Sequence, residues 1–151
     1  MKRYTFWLWL AIVFLLLTGA VHSLSLFIAP VAQNETERQL INLMTNYKQD
    51  MGAGFHRSMM QLFTALNSCF TLFCLFAGLT NAYLLRKQVA PEILKGILRI
   101  NVAIFAVCVV MMAVFAFLLP VVMIGLVLLF LTIAMLLVPR SRAVADSASA
   151  R

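Results

Sequence analysis

The chain has 151 residues, of which 64% are apolar and only 11% charged, and it carries a formal net charge of +7. That composition excludes a soluble globular domain and indicates one small polytopic membrane domain. The basic excess would suggest nucleic acid in a soluble protein, but here it falls between apolar runs, as membrane insertion demands, so no nucleic-acid partner is expected.

Lys2 and Arg3 precede the apolar run Phe6 to Ile28, long enough to cross a hydrocarbon core about 30 Å thick. Its opening also has the layout of a signal peptide: a basic start, an apolar block to Leu17, then small residues at Gly19, Ala20, Ser23 and Ser25. Leu24, Leu26, Phe27 and Ile28 continue the apolar character past those residues, which favours a retained first span over cleavage. Trp7 and Trp9 fit an aromatic belt at the basic end. Pro30 ends the run, and the only substantial polar loop follows, to Gly54. Within it, Asn34 and Glu37 form a capping box, and Leu40, Leu43, Met44, Tyr47 and Met51 share one helical face. An amphipathic helix is therefore expected from about Glu35 to Asp50, on the membrane or over the bundle mouth, with Gly52 and Gly54 breaking it. Asn34 to Thr36 is also a glycosylation sequon, which matters only in a eukaryotic secretory setting.

The second span is expected from Ser58 to Leu85. At helical spacing it carries Thr64, Asn67, Thr71, Cys74, Gly78 and Asn81 on one face and Leu62, Phe63, Leu66, Phe70, Phe73 and Phe76 around much of the rest. One side suits lipid and the other wants protein. Small and weakly polar residues in such a line mark helix packing, with Asn67 and Asn81 needing a partner across a helix or on a ligand. Arg86, Lys87, Lys95 and Arg99 surround the next connection, Lys95 and Arg99 serving as snorkelling anchors or lipid-headgroup contacts. From Ile100 to Val138 the chain is uncharged; as one helix this would be nearly 60 Å long, so it must turn back. Pro120 is the helix breaker there, which predicts spans over about 97–118 and 121–138 with the turn at Leu118 to Val122, a re-entrant or kinked path being the alternative. The membrane domain then covers residues 1–142, and the Ser/Ala tail 143–151 is expected to be disordered.

The basic residues test this layout. Lys2, Arg3, Arg86, Lys87, Lys95, Arg99, Arg140, Arg142 and Arg151 fall on one side and only Arg38, Lys48 and Arg57 on the other. Both termini are thus expected in the cytoplasm, with the amphipathic segment outside.

His22 and His56 are the side chains that titrate near neutral pH at or near membrane depth. Thr18, His22 and Ser25 share a face of the first span, beside Gly19, and His56 and Arg57 open the second. The candidate ligand-binding set is therefore His22, His56, Arg57, Asn67, Thr18 and Ser25, under the amphipathic loop. Each histidine also has a plainer reading, as an interfacial anchor or a hydrogen-bond partner of a neighbouring helix. Gly19, Thr64, Thr71, Cys74, Gly78 and Asn81 are candidate packing positions. Haem between the two imidazoles would require a common iron, and the depth mismatch between His22, about 9 Å inside its expected span, and a boundary His56 counts against it. Cys69, Cys74 and Cys108 lack paired spacing for zinc or redox work, and Ser58, Cys69 and Cys74 lack a base and orienting acid. Met59, Met60, Met111 and Met112 read as gap fillers. No catalytic residue, metal or cofactor is assigned.

The Gly19 to His22 step, the segment Met51 to Leu72 with its Gly-x-Gly-Phe-His-Arg-Ser start, Gly78-Leu79-Thr80-Asn81 and the single Pro120 between the last spans together resemble a group of small bacterial four-helix integral membrane proteins with no assigned activity. The resemblance covers most of the chain and implies an all-α four-span fold in a bacterial inner membrane, and no reaction. The expectation is a non-enzymatic protein that binds a lipid, an apolar small molecule or a membrane partner in the outer half of the bundle, alone or as a homo-oligomer. A small transporter is the alternative, and a haem-binding subunit a more distant one.

Overall fold

A computed structural model describes residues 3–139; the tail 143–151 and Arg140 and Arg142 lie outside the described residues. It contains five helices, α1 (Arg3–Leu24), α2 (Glu35–Asn46), α3 (Met59–Arg86), α4 (Pro91–Phe115) and α5 (Leu118–Leu137), and a small antiparallel pair, β1 (Lys48–Asp50) and β2 (His56–Ser58). Four of the helices, α1, α3, α4 and α5, are long and apolar enough to cross a membrane. The chain divides into two compact units. Among the described residues, one comprises residues 3–16 and 76–139, the other residues 17–75.

In the first unit the core is a set of seams at helical spacing. Leu8, Ala11, Ile12 and Leu15 are buried on α1, and Leu94, Leu98 and Phe105 on α4. On α5 and its cap, Ile124, Val127, Leu131, Ala134 and Val138 are buried in alternating steps of three and four, the spacing of a left-handed helix-packing seam. Phe130 receives Phe14 edge-on at 5.3 Å and Trp7 at 5.8 Å between ring centroids. Gly78 admits the side chains of Leu15 and Leu16, since a Cβ there would stand 3.0 Å from Leu16 Cδ2. Only 11% of the most apolar stretch of α4 is buried in the chain, so most of that helix presents side chains suited to lipid.

Polar groups inside this unit are paired. Asn81 is wholly buried; its Nδ2 donates to Ala77 O at 2.8 Å and its Oδ1 accepts from Asn101 Nδ2 at 3.1 Å.

The turn between α4 and α5 lies at Ala116 and Phe117, not at Leu118 to Val122, and Pro120 sits inside the first turn of α5. A proline ring collides with the carbonyl four residues before it, so Pro120 forbids helix at Ala116, where α4 ends. In the first turn of α5 its missing N–H costs nothing, because that donor has no intrahelical partner. Likewise α4 begins at Pro91 rather than near 97, with proline at its first position, where the fixed φ suits a helix start.

In the second unit the first span also closes earlier than the apolar run suggests. α1 stops at Leu24, and residues 25–27 continue as tight turns, with Ser25, Leu26 and Phe27 N–H groups donating to His22, Ser23 and Leu24 carbonyls. Ser23 and Ser25 hydroxyls also donate to Ala20 and His22 carbonyls, at 2.7 Å each, and compete with continuation of the helix. α2 starts where expected: Asn34 Oδ1 accepts from Glu37 N at 2.9 Å, and Glu37 Oε2 accepts from Gln33 N at 2.7 Å. It ends at Asn46 instead of Asp50, because the next residues pair as a hairpin, Lys48 with Ser58, Gln49 with Arg57 and Asp50 with His56. Gly52, Ala53 and Gly54 all hold positive φ, at 81°, 52° and 80°, and Phe55 N donates to Gly52 O at 3.0 Å. Such a turn matches the twist of a two-stranded ribbon and explains the Gly-x-Gly spacing. Ser58 and Gln61 then form a reciprocal capping box at the start of α3, Ser58 N donating to Gln61 Oε1 at 3.0 Å and Gln61 N to Ser58 Oγ at 3.3 Å.

The Asn81–Asn101 bond yields a prediction. Asn101→Leu strands a buried amide oxygen and should cost about 1–3 kcal/mol of stability, whereas Asn81→Leu combined with Asn101→Leu should cost less than either single change predicts. A double-mutant cycle by reversible unfolding in detergent measures both, and strictly additive losses would show that the bond contributes nothing.

Candidate functional site

The candidate site lies in the second unit, where the end of α1 meets the first half of α3. Gly19 sets the approach: a Cβ there would stand 3.4 Å from Cys74 Cβ and 3.5 Å from the Leu75 side chain, so the two helices touch through small residues. Because the helices run antiparallel along this contact, one turn onward in α1 meets one turn earlier in α3. His22 accordingly packs edge-on against Phe70, with ring centroids 4.8 Å apart, and Thr71 lies one turn before Cys74 on the same face of α3.

Two polar atoms in this seam are buried with no hydrogen-bond partner: His22 Nε2 and Thr71 Oγ1. Hydroxyls elsewhere on the apolar helices behave otherwise. Thr64 donates to Met60 O at 2.9 Å, Ser68 to Thr64 O at 2.8 Å and Thr132 to Leu128 O at 2.8 Å, the usual way a hydroxyl is satisfied on a membrane helix. Thr71 has not spent its hydroxyl on its own helix. Thr18, one turn before His22, is buried, and Asn67, one turn before Thr71, is half-buried.

The other proposed site residues divide. Ser25 lies beyond the helix, exposed, with its hydroxyl on His22 O, so Thr18, His22 and Ser25 do not form a continuous helical face. His22 sits in the last turn of α1 rather than deep in a longer span. His56 and Arg57 belong to β2, not to α3, and both are exposed. Arg57 lies over the Phe55 ring at 5.6 Å and donates to His56 O at 3.2 Å. Of the packing positions, Gly19, Thr71, Cys74, Gly78 and Asn81 are buried, while Thr64 is exposed. The amide of Asn81 is bonded at both ends. Among the described residues, no three histidine, cysteine or acidic side chains gather as a metal would require.

No protein-family model, curated protein sequence or solved structure matches this chain. The site must be read from its own atoms.

An imidazole nitrogen and a hydroxyl, both buried and without a partner, each have the capacity to bond a polar group delivered to the seam. Leaving such atoms unpaired costs about 1–3 kcal/mol each, a cost that a bound group would remove. Sequence reasoning singled out His22 and assigned Thr71 to packing; Thr71 differs from Thr64 in its burial and in a hydrogen bond, neither of which composition encodes. The capping box Ser58-Met59-Met60-Gln61 was passed over in the sequence, although its Ser-x-x-Gln spacing is the signal, and it marks where α3 begins.

The Gly19 contact is testable. Gly19→Ala should be accommodated, since its new contacts fall at van der Waals distance, whereas Gly19→Leu should separate the helices. The readout is Cys74, fully buried beside Gly19: a membrane-permeant maleimide should leave it unmodified in the native protein and in Gly19→Ala, and label it in Gly19→Leu. Equal labelling of all three would remove the close contact.

Proposed function

We propose that this is a non-enzymatic binding protein of a bacterial inner membrane, which takes the polar head of a lipid or another amphiphile at the His22–Thr71 seam. The unpartnered His22 Nε2 and Thr71 Oγ1 are the observation that carries this reading. A hydroxyl, amide or carboxyl head engages both a nitrogen and a hydroxyl, and the Phe70 and Phe73 rings, which pack together at 6.5 Å, provide an apolar neighbourhood for a chain.

The amphipathic helix α2 supports the same reading. None of its residues is buried, and Leu40 and Leu43 stand 55% and 62% exposed, an apolar face left uncovered by the chain. Exposed Phe27, Ile28, Val31 and Phe55 in the same unit extend the apolar surface. In this proposal α2 lies in the outer interface of the membrane, its charged face toward water, and both chain ends are cytoplasmic because the basic residues concentrate there. A lipid partitioning into that leaflet reaches the seam without crossing water.

Native mass spectrometry of the protein released gently from its own membrane tests the proposal. A reproducible adduct is expected, reduced about tenfold in occupancy-weighted affinity by His22→Ala or Thr71→Val, the loss of one hydrogen bond in a dry site. Thr71→Val should meanwhile keep or raise the unfolding temperature, because it removes an unpaired hydroxyl. A chain free of adduct, or an adduct indifferent to both substitutions, would sink the binding role and leave the seam as helix packing.

A further inference from the structure

The first unit contains a cavity of about 500 Å³ that the proposed lipid-binding seam does not use. Its walls are Tyr4, Thr5 and Trp9 on α1, Arg86 at the end of α3, Gln88 in the following turn and Leu94 on α4. We infer that this cavity holds the phosphate-bearing headgroup of an anionic phospholipid from the leaflet at the basic end of the helices.

Position argues for a lipid. Arg86 and Lys87 close α3 and Arg3 opens α1, so the cavity lies at the boundary where apolar helix gives way to charge, the depth at which headgroups sit. Its lining combines the two halves of an amphiphile: a guanidinium, a carboxamide, a phenol and a hydroxyl for the head, and Trp9 and Leu94 for the start of the acyl chains. Charge argues for an anion. Among the described residues, Arg86 is the one charged residue of the lining, and Arg3, Lys87 and Lys95 lie on the same helix ends, against Glu92 as the acid of α4's first turn, outside the lining. A planar guanidinium is suited to two oxygens of one phosphate, and no side chain caps the adjoining start of α4.

Backbone conformation gives an independent reason. α3 ends in a turn where Val89 N donates to Leu84 O at 3.4 Å and Gln88 N to Leu85 O at 3.2 Å, with Gln88 at φ 48°. That left-handed position is where helices ordinarily place glycine, because any side chain is strained there. The contact of the Gln88 amide with the phosphate, on the cavity wall, offsets that strain in this assignment. In this assignment the Gln88 amide and the Arg86 guanidinium hold the phosphate from two sides.

The test uses the full chain in detergent, stripped of endogenous lipid and titrated with phosphatidylglycerol or phosphatidylcholine under native mass spectrometry. Phosphatidylglycerol should bind in preference to phosphatidylcholine, and Arg86→Gln should weaken it about tenfold, the loss of one charge-assisted contact. Gln88→Gly should weaken it too while the melting temperature holds or rises, a combination that a purely structural role for Gln88 would not produce. Lys95→Gln, outside the cavity, should change the affinity by less than about twofold, as a screened charge does. Equal binding of the two lipids, indifference to Arg86→Gln or a Lys95 effect as large as the Arg86 effect would overturn the assignment. So would displacement of the lipid by millimolar glycerol phosphate, which would make the cavity a site for a soluble anion.

Discussion

A polar group carried into hydrocarbon has no water to fall back on, and that constraint decides which contacts in this chain matter. Apolar burial does little to hold membrane helices together, because lipid tails are as apolar as leucine. The Asn81–Asn101 bond therefore weighs more than its modest free energy suggests: it fixes which faces of α3 and α4 meet within the first unit, and the leucines around them adjust. The hydroxyls of Thr64, Ser68 and Thr132 obey the same rule at no cost to specificity, each closing on its own helix. Against that background His22 Nε2 and Thr71 Oγ1 stand out as two atoms to which the rule has not been applied. Structural groups in lipid are satisfied when the chain folds; in the proposed reading these two are satisfied when a ligand binds.

Much of the fold was legible because membrane insertion writes itself into composition. Four apolar runs of sufficient length, the capping box at Asn34 and the packing positions Gly19, Cys74, Gly78 and Asn81 all follow from residue type and spacing. Boundaries fared less well, and for one reason. Hydropathy reports what lipid tolerates, whereas helix ends are set by local backbone chemistry. Leu26, Phe27 and Ile28 are apolar enough to extend α1, but the Ser25 hydroxyl and N–H both take the His22 carbonyl that the Leu26 N–H would need to continue it. The hairpin over Lys48 to Ser58 was hidden because its strands are three residues each and polar, and only the two glycines flanking Ala53 betray the turn.

Spans with almost no polar residues were the least legible. Along α5 nearly every side chain is apolar, so the buried seam at Ile124, Val127, Leu131 and Ala134 has no contrast against its surroundings. What distinguishes these positions is shape and not polarity: Ala134 allows approach, and Phe130 on the neighbouring face takes the rings of Trp7 and Phe14. A period of three and four is present in the burial even though it is absent from the hydropathy.

Proline shows how a local rule can be right in substance and misplaced in position. Pro120 does force the chain to turn between α4 and α5, but it acts at a distance of four residues, on the carbonyl of Ala116, and then serves as a helix former in the turn that follows. Pro91 does the same at the start of α4. In each case the residue that breaks one helix is spent in starting the next, which is why two long apolar helices can be joined by only Ala116 and Phe117. A longer connection would expose more backbone N–H and C=O groups at the membrane surface. The short one keeps the cost to the few donors and acceptors that any helix end leaves open.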